Sequence, residues 1–123
     1  MSGPESKVEG YLKSELERFG FKVVKFEPVG FAGAPDRWIF RPKWSPGPPW
    51  AVELKADGKV LRRLQTEVGK DLEARGVLVL PYIDSKTNVD LLVTKLVRRC
   101  VHEADLVERA QLPSHIIRRA NLV

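Results

Sequence analysis

Cysteine occurs once, at Cys100, so neither an intrachain disulfide nor a cysteine-based zinc site can form. Long apolar runs are missing too. The longest, Val77-Leu78-Val79-Leu80 continuing through Pro81 to Tyr82 and Ile83, is far too short to span a bilayer. Met1 to Lys7 contains no apolar segment of the kind that directs secretion, so a cytoplasmic protein with no membrane partner is expected. No glycine-rich phosphate loop follows a strand, and no paired RNP-type aromatics stand on one, which counts against an enzyme acting on nucleotides or RNA. His102 and His115 lack evident partners for a histidine metal site. Neither an internal repeat nor an interdomain linker is visible, which leaves a single domain.

What is present suits a globular fold. Apolar residues make up 43% of the chain and charged residues 30%, enough of each for an independent core under a solvated surface. The net charge of +5 favours a polyanionic partner, because neutralising phosphates releases counterions, although charge alone decides little. Arg62-Arg63, Arg98-Arg99 and Arg118-Arg119 are separate doublets, so the positive charge belongs to a folded surface and not to a tail.

Val8, Leu12, Leu16 and Phe19 recur at helical spacing until Gly20, which stops the helix. Phe21 to Phe26 reads as a strand, and Gly30, Gly33 and Pro35 make the next stretch a loop. Arg37–Arg41 and Trp50–Lys55 read as two strands of a hairpin, with a long proline-rich tip between them. Leu61, Leu64, Val68 and Leu72 mark a second helix stopped by Gly76. Val77–Ile83 reads as a buried strand, Asp84-Ser85 as a turn, and Val89 to Cys100 as a third helix. The order α-β-β-β-α-β-α predicts an α/β domain built on a mixed sheet flanked by helices. Residues 1–102 form the expected core. Residues 103–123, with short helical pieces around Pro113, form a C-terminal extension of the same domain.

Pro35-Asp36 followed by Glu53-Leu54-Lys55 carries the chemical signal. Residues two apart on a strand share a face, so Glu53 and Lys55 project together while Leu54 enters the core. If Asp36 faces Glu53, the hairpin centre falls between Trp44 and Ser45, inside the proline-rich tip where the turn has to be. Two carboxylates and an ammonium group then converge. Such carboxylates suit Mg²⁺, which accepts one or two of them beside waters and substrate phosphate. A lysine there can orient or deprotonate a water, or stabilise a pentacovalent phosphate, and the sum is phosphodiester hydrolysis. A lone Glu-X-Lys triplet is ordinarily a surface charge pair, and a lone Pro-Asp is ordinarily turn chemistry. Their combination on antiparallel partners is what points to a site.

With Gly33-Ala34-Pro35-Asp36-Arg37, Val52-Glu53-Leu54-Lys55-Ala56, Gly58-Lys59 and Gln65, the chain resembles the VRR-NUC group of the PD-(D/E)XK nuclease superfamily from about Glu9 to Leu92. The resemblance implies a restriction-endonuclease-like core, dependence on Mg²⁺ or Mn²⁺, and action on DNA, often branched. It also implies kinship with short stand-alone members, frequently phage-encoded, that resolve Holliday junctions as homodimers. By the same resemblance Asp36 and Glu53 are metal-binding acids, the Leu54 carbonyl is a backbone ligand, and Lys55 is the catalytic lysine. Glu9 corresponds to an acid near the metal, with Glu5, Glu15 and Glu17 close by in sequence. Gln65 corresponds to a glutamine that holds a water or a phosphate, unless it is only a polar residue on an exposed helix. The hairpin tip is longer and richer in proline and tryptophan than the pattern requires.

Other residues are candidates for DNA contact. Arg37, Lys59, Arg62 and Arg63 lie near the motif, the last three at the start of the second helix, where phosphate contacts and plain solvation compete. Trp44, if exposed at the tip, is placed to stack on an unpaired base or wedge into a junction, with packing against its own prolines or a dimer partner as the alternative. The expected function is a metal-dependent, structure-selective DNA endonuclease acting as a homodimer. A non-catalytic DNA-binding module that keeps the fold is the alternative.

Overall fold

A computed structural model describes residues 4–26, 32–54, 63–80 and 83–122. Helix α1 spans Pro4–Glu17 and buries Val8, Leu12 and Leu16. It ends where Phe21 N–H donates to the Leu16 carbonyl and Gly20 N–H to that of Glu17. Gly20 sits at φ +93°, a left-handed conformation that carries little strain only for glycine. The same pair of bonds closes helix α2, Arg63–Ala74, from Val77 to Leu72 and from Gly76 to Glu73. Each predicted stop is a helix cap of this kind.

Strands β1 (Lys22–Lys25), β2 (Arg37–Phe40), β3 (Trp50–Val52) and β4 (Leu78–Val79) form one sheet in the order β1-β2-β3-β4. β1 and β3 both run antiparallel to β2, while β4 runs parallel to β3 after the crossover through α2. A further bridge between Leu54 and Ile83 prolongs the parallel pair. The expected mixed α/β sheet and its element order are therefore present.

One sheet face carries the core. Val23, Ile39, Trp50, Val52 and Leu54 point from it toward α1 and helix α3, Lys86–Glu103. Helix α3 buries Val89, Leu92, Val93, Leu96, Val97 and Cys100, an apolar stripe of three- and four-residue steps. Its first turn is capped by Ser85, whose hydroxyl accepts from Asn88 N–H at 3.2 Å, so the predicted turn is also a helix start. Short helices α4 (Leu106–Ala110) and α5 (Ser114–Ala120) flank Pro113, and α5 packs Ile116 and Ala120 against the core. His115 stacks on Phe19 with its Nε2 3.1 Å from the Arg18 carbonyl, which gives it packing work in the fold.

One expectation changes and one left open is decided. The stretch 77–83 is not a continuously buried strand. Among its described residues the ladder runs over Leu78–Val79, half-buried at the sheet edge, and is met again at the Ile83 bridge, and Ile83 alone is deeply buried. At the hairpin tip Pro46, Gly47 and Pro48 are exposed, while Trp44 takes the packed alternative. Ser45 N–H bonds the Pro42 carbonyl, both side chains are buried, and Trp44 lies back over the end of α1, its indole N–H donating to the Phe19 carbonyl at 3.1 Å. Close packing of Trp44 and Pro42 on Gly20 favours this fold-back over an exposed indole.

Candidate active site

The ladder pairs Arg37 with Val52 and Trp38 with Ala51, so Asp36 and Glu53 follow as the next opposed residues. Asp36 N–H donates to Glu53 Oε2 at 3.2 Å, and Leu54 N–H donates to Asp36 Oδ1 at 3.3 Å. The two acids therefore meet where β2 and β3 open, in the register that centring the hairpin on Trp44-Ser45 requires. Leu54 is buried, as alternation demands. Gln65, from the first turn of α2, donates its side-chain N–H to Glu53 Oε1 at 2.7 Å. The carboxylate of Glu53 is thus held from β2 on one side and from α2 on the other.

Arg37 organises the opposite flank. Its guanidinium lies 2.6 Å from Glu9 Oε2 on α1 and 3.1 Å from Asp36 Oδ2, and it also donates to the Asp36 carbonyl. At 3% exposure it cannot reach a phosphate without leaving the fold, so the expectation that Arg37 contacts DNA is corrected. It is a positioning residue, and Glu9 joins the acid pair through it. The available signal was a cation at a core-facing strand position, one residue from Asp36 and two from buried Ile39. A stacking role for Trp44 loses its condition in the same way, because the indole is turned inward.

Arg63 is almost fully exposed and pairs with Glu67 at 2.9 Å, one turn along α2. Lys55, Lys59 and Arg62 lie outside the described residues. A cleft of about 340 Å³ opens beside Glu53 and Gln65, walled by Gly33, Pro35, Thr66 and Lys70. Gly33 has φ +85°, and a Cβ there would lie 2.8 Å from Leu64 Cγ, so glycine lets this loop close against α2. Thr66 and Lys70, which sequence reasoning did not single out, recur four apart next to Gln65 on α2, the spacing that would have placed them on its cleft side.

Glu9, Asp36 and Glu53 set three carboxylates against the Arg37 guanidinium, a formal excess of two negative charges among the described residues. No three carboxylate, imidazole or thiolate groups enclose an ion unaided among those residues. Mg²⁺ does not require that, since it retains waters and takes one or two carboxylates with substrate phosphate. Asp36 and Glu53 supply that donor set. The Glu53 carbonyl already accepts Ile83 N–H and Asp36 Oδ1 accepts Leu54 N–H, so the two side-chain carboxylates are the donors that fit a hard divalent cation.

A solved structure described as a VRR_NUC domain superposes on this chain with a TM-score of 0.66 and 29% sequence identity. The match covers 75% of this chain and 96% of that one. The chain is thus similar to a VRR-NUC domain in fold and, in part, in sequence. Its mixed four-stranded sheet with flanking helices is the VRR-NUC nuclease fold. No family model and no curated protein matches the sequence. Among the described residues, no helix is long and apolar enough to cross a membrane.

Proposed function

We propose that the protein is a Mg²⁺- or Mn²⁺-dependent DNA endonuclease, selective for branched DNA such as Holliday junctions and acting as a homodimer. The observation that carries this reading is the hydrogen-bonded Asp36–Glu53 pair at the open end of the hairpin, braced by Arg37 and Gln65. The VRR-NUC fold and the net positive charge support it. Two copies related by a two-fold axis would present two such sites to the strands of a symmetric junction.

Asp36, Glu53 and the Leu54 carbonyl would hold the cation, with Glu9 as a nearby acid. When bound, such a cation supplies Lewis-acid neutralisation of charge building on the attacked phosphate. Gln65 fixes the rotamer of Glu53 by donating to Oε1, which leaves Oε2 toward Asp36. Arg37 fixes Asp36 against rotation away from the site. Lys55 is assigned from its place two residues after Glu53. It orients or deprotonates the attacking water, or stabilises the pentacovalent phosphate. The open cleft beside Glu53 and Gln65 gives the phosphate an approach, and Lys70 offers a cation along it.

The test is cleavage of labelled four-way-junction, flap and linear duplex DNA in Mg²⁺, Mn²⁺ or EDTA, by wild type, Lys55→Ala and Asp36→Asn. The expected result is metal-dependent cutting, fastest on branched DNA, that falls by at least about 100-fold in each variant, the range lost when a proton-transfer or charge-stabilising group is removed. Binding without cutting by wild type under every condition would replace this reading with the non-catalytic module. Sedimentation as a strict monomer would remove the junction-resolving form and leave nicking.

A further inference from the structure

The sheet face that carries the acid pair also carries an aromatic strip. Cross-strand partners share a face, so the register sorts these residues into rungs. Phe26 N–H donates to the Asp36 carbonyl at 2.8 Å, which makes Phe26, Asp36 and Glu53 one rung. Val24, Trp38 and Ala51 form the next, and Lys22 with Phe40 the third. Phe26 and Trp38 meet edge to face at 5.4 Å. On the core side the same strands are covered by α1 and α3. On this side α2 packs on the β4 end, and among the described residues no helix packs on the β1–β2 half. Phe26 and Phe40 are left 42% and 41% exposed, at positions where alternation would ordinarily place polar side chains.

We propose that Phe26, Trp38 and Phe40 form a stacking platform for an unpaired DNA strand leading into the acid pair. This rests on the nuclease reading above and assigns the basis of its substrate preference. Aromatic faces bind bases with little regard to sequence, and they act only on bases that are not already stacked in a duplex. The spacing adds a second reason. Trp38 and Phe40 are two residues apart, about 6.6 Å along the strand, roughly twice the ~3.4 Å per nucleotide of a duplex strand. Consecutive bases seated on the two rings would have to be spread from ~3.4 Å to about 6.6 Å apart, which only an unstacked strand allows. Lys22, directly across from Phe40, adds a cation for its phosphates at the far end of the strip, on a protein whose net charge is +5. Continuity with Asp36 orients the strand, because the rung nearest the acids places Phe26 directly beside the reacting position.

The experiment measures binding in EDTA, at one fixed salt concentration, of a single-stranded oligothymidine, a flap and a blunt duplex. Phe40→Ala and Phe26→Ala are expected to weaken single-strand and flap binding by roughly tenfold and to leave blunt-duplex affinity within about twofold. Phe40→Tyr is expected to restore binding, which separates stacking from a folding defect. The oligothymidine should also quench tryptophan fluorescence in wild type and do so less in Trp38→Phe. Unchanged single-strand binding in both alanine variants would overturn the platform, as would an equal loss on duplex. A changed sedimentation coefficient for Phe40→Ala would overturn it in favour of contact with a second copy. Wild-type cutting in Mg²⁺ is read separately. Cutting with no platform effect sinks only this inference, whereas a platform effect without cutting upholds it and sinks the nuclease reading.

Discussion

At the residue scale the site depends on one buried cation. Arg37 touches both Glu9 and Asp36, and lysine could not span them with the same planar fork. Replacing Arg37 with Gln leaves two partly buried carboxylates facing each other without their counter-charge. The expected loss is about 1.5–3 kcal/mol of stability, the range for hydrogen bonds to charged groups, with cleavage falling by more than the folded fraction. Thermal unfolding alongside a cleavage assay checks this, and an unchanged melting temperature would argue that the guanidinium is dispensable. Sequence reasoning placed Asp36 opposite Glu53 correctly because strand alternation and the proline-rich tip constrain the register. It misjudged Arg37, since the burial of a cation is decided by what packs over it. Glu9 is 28 residues away in the chain, and only the fold brings it there.

At the scale of elements, helix ends explain why the order of elements was legible. Gly20, Gly76 and Ser85 are local signals, and each does in the fold what its type does in isolation. Ser85→Ala is expected to cost about 1 kcal/mol, because Asn88 N–H loses its acceptor at the first turn of the longest helix. A denaturant titration reads this as a lower midpoint with an unchanged slope, and Ser85→Asp should restore most of it. What could not be read locally are features set by neighbours. Trp44 folds down because the Phe19 carbonyl and Gly20 offer it a place to pack. β4 is only half-buried because it lies at the sheet edge, beside a helix whose Leu64 stays half exposed. The aromatic strip escaped a search for paired aromatics because one member lies on β1 and two on β2, so that only the register gathers them.

For the whole molecule, Cys100 provides a probe of global opening. Its thiol is fully buried on α3, and burial pushes its pKa up to about 11 from an ordinary value of 9.0, against the smaller opposing effect of Arg41. The raised value means the folded state disfavours the thiolate. Stability is therefore unaffected at neutral pH and declines as pH rises through the unfolded thiol's range toward the folded one. An alkylating reagent at mildly alkaline pH is expected to leave native Cys100 unmodified and to modify it only as fast as the chain opens. Rapid native-state labelling would contradict the packing of α3.

The bracing of Glu53 and Asp36 from both flanks has a consequence for newly made or damaged copies of the chain. Residues 9, 36–37, 53 and 65 come from four separate stretches, and each tie closes a loop across the intervening sequence. A half-folded copy, with α1 or α2 undocked, holds the acids without the geometry. Under the proposed activity, competence to cut would then arrive late, once both helices have docked, so that folding itself would act as a safety catch.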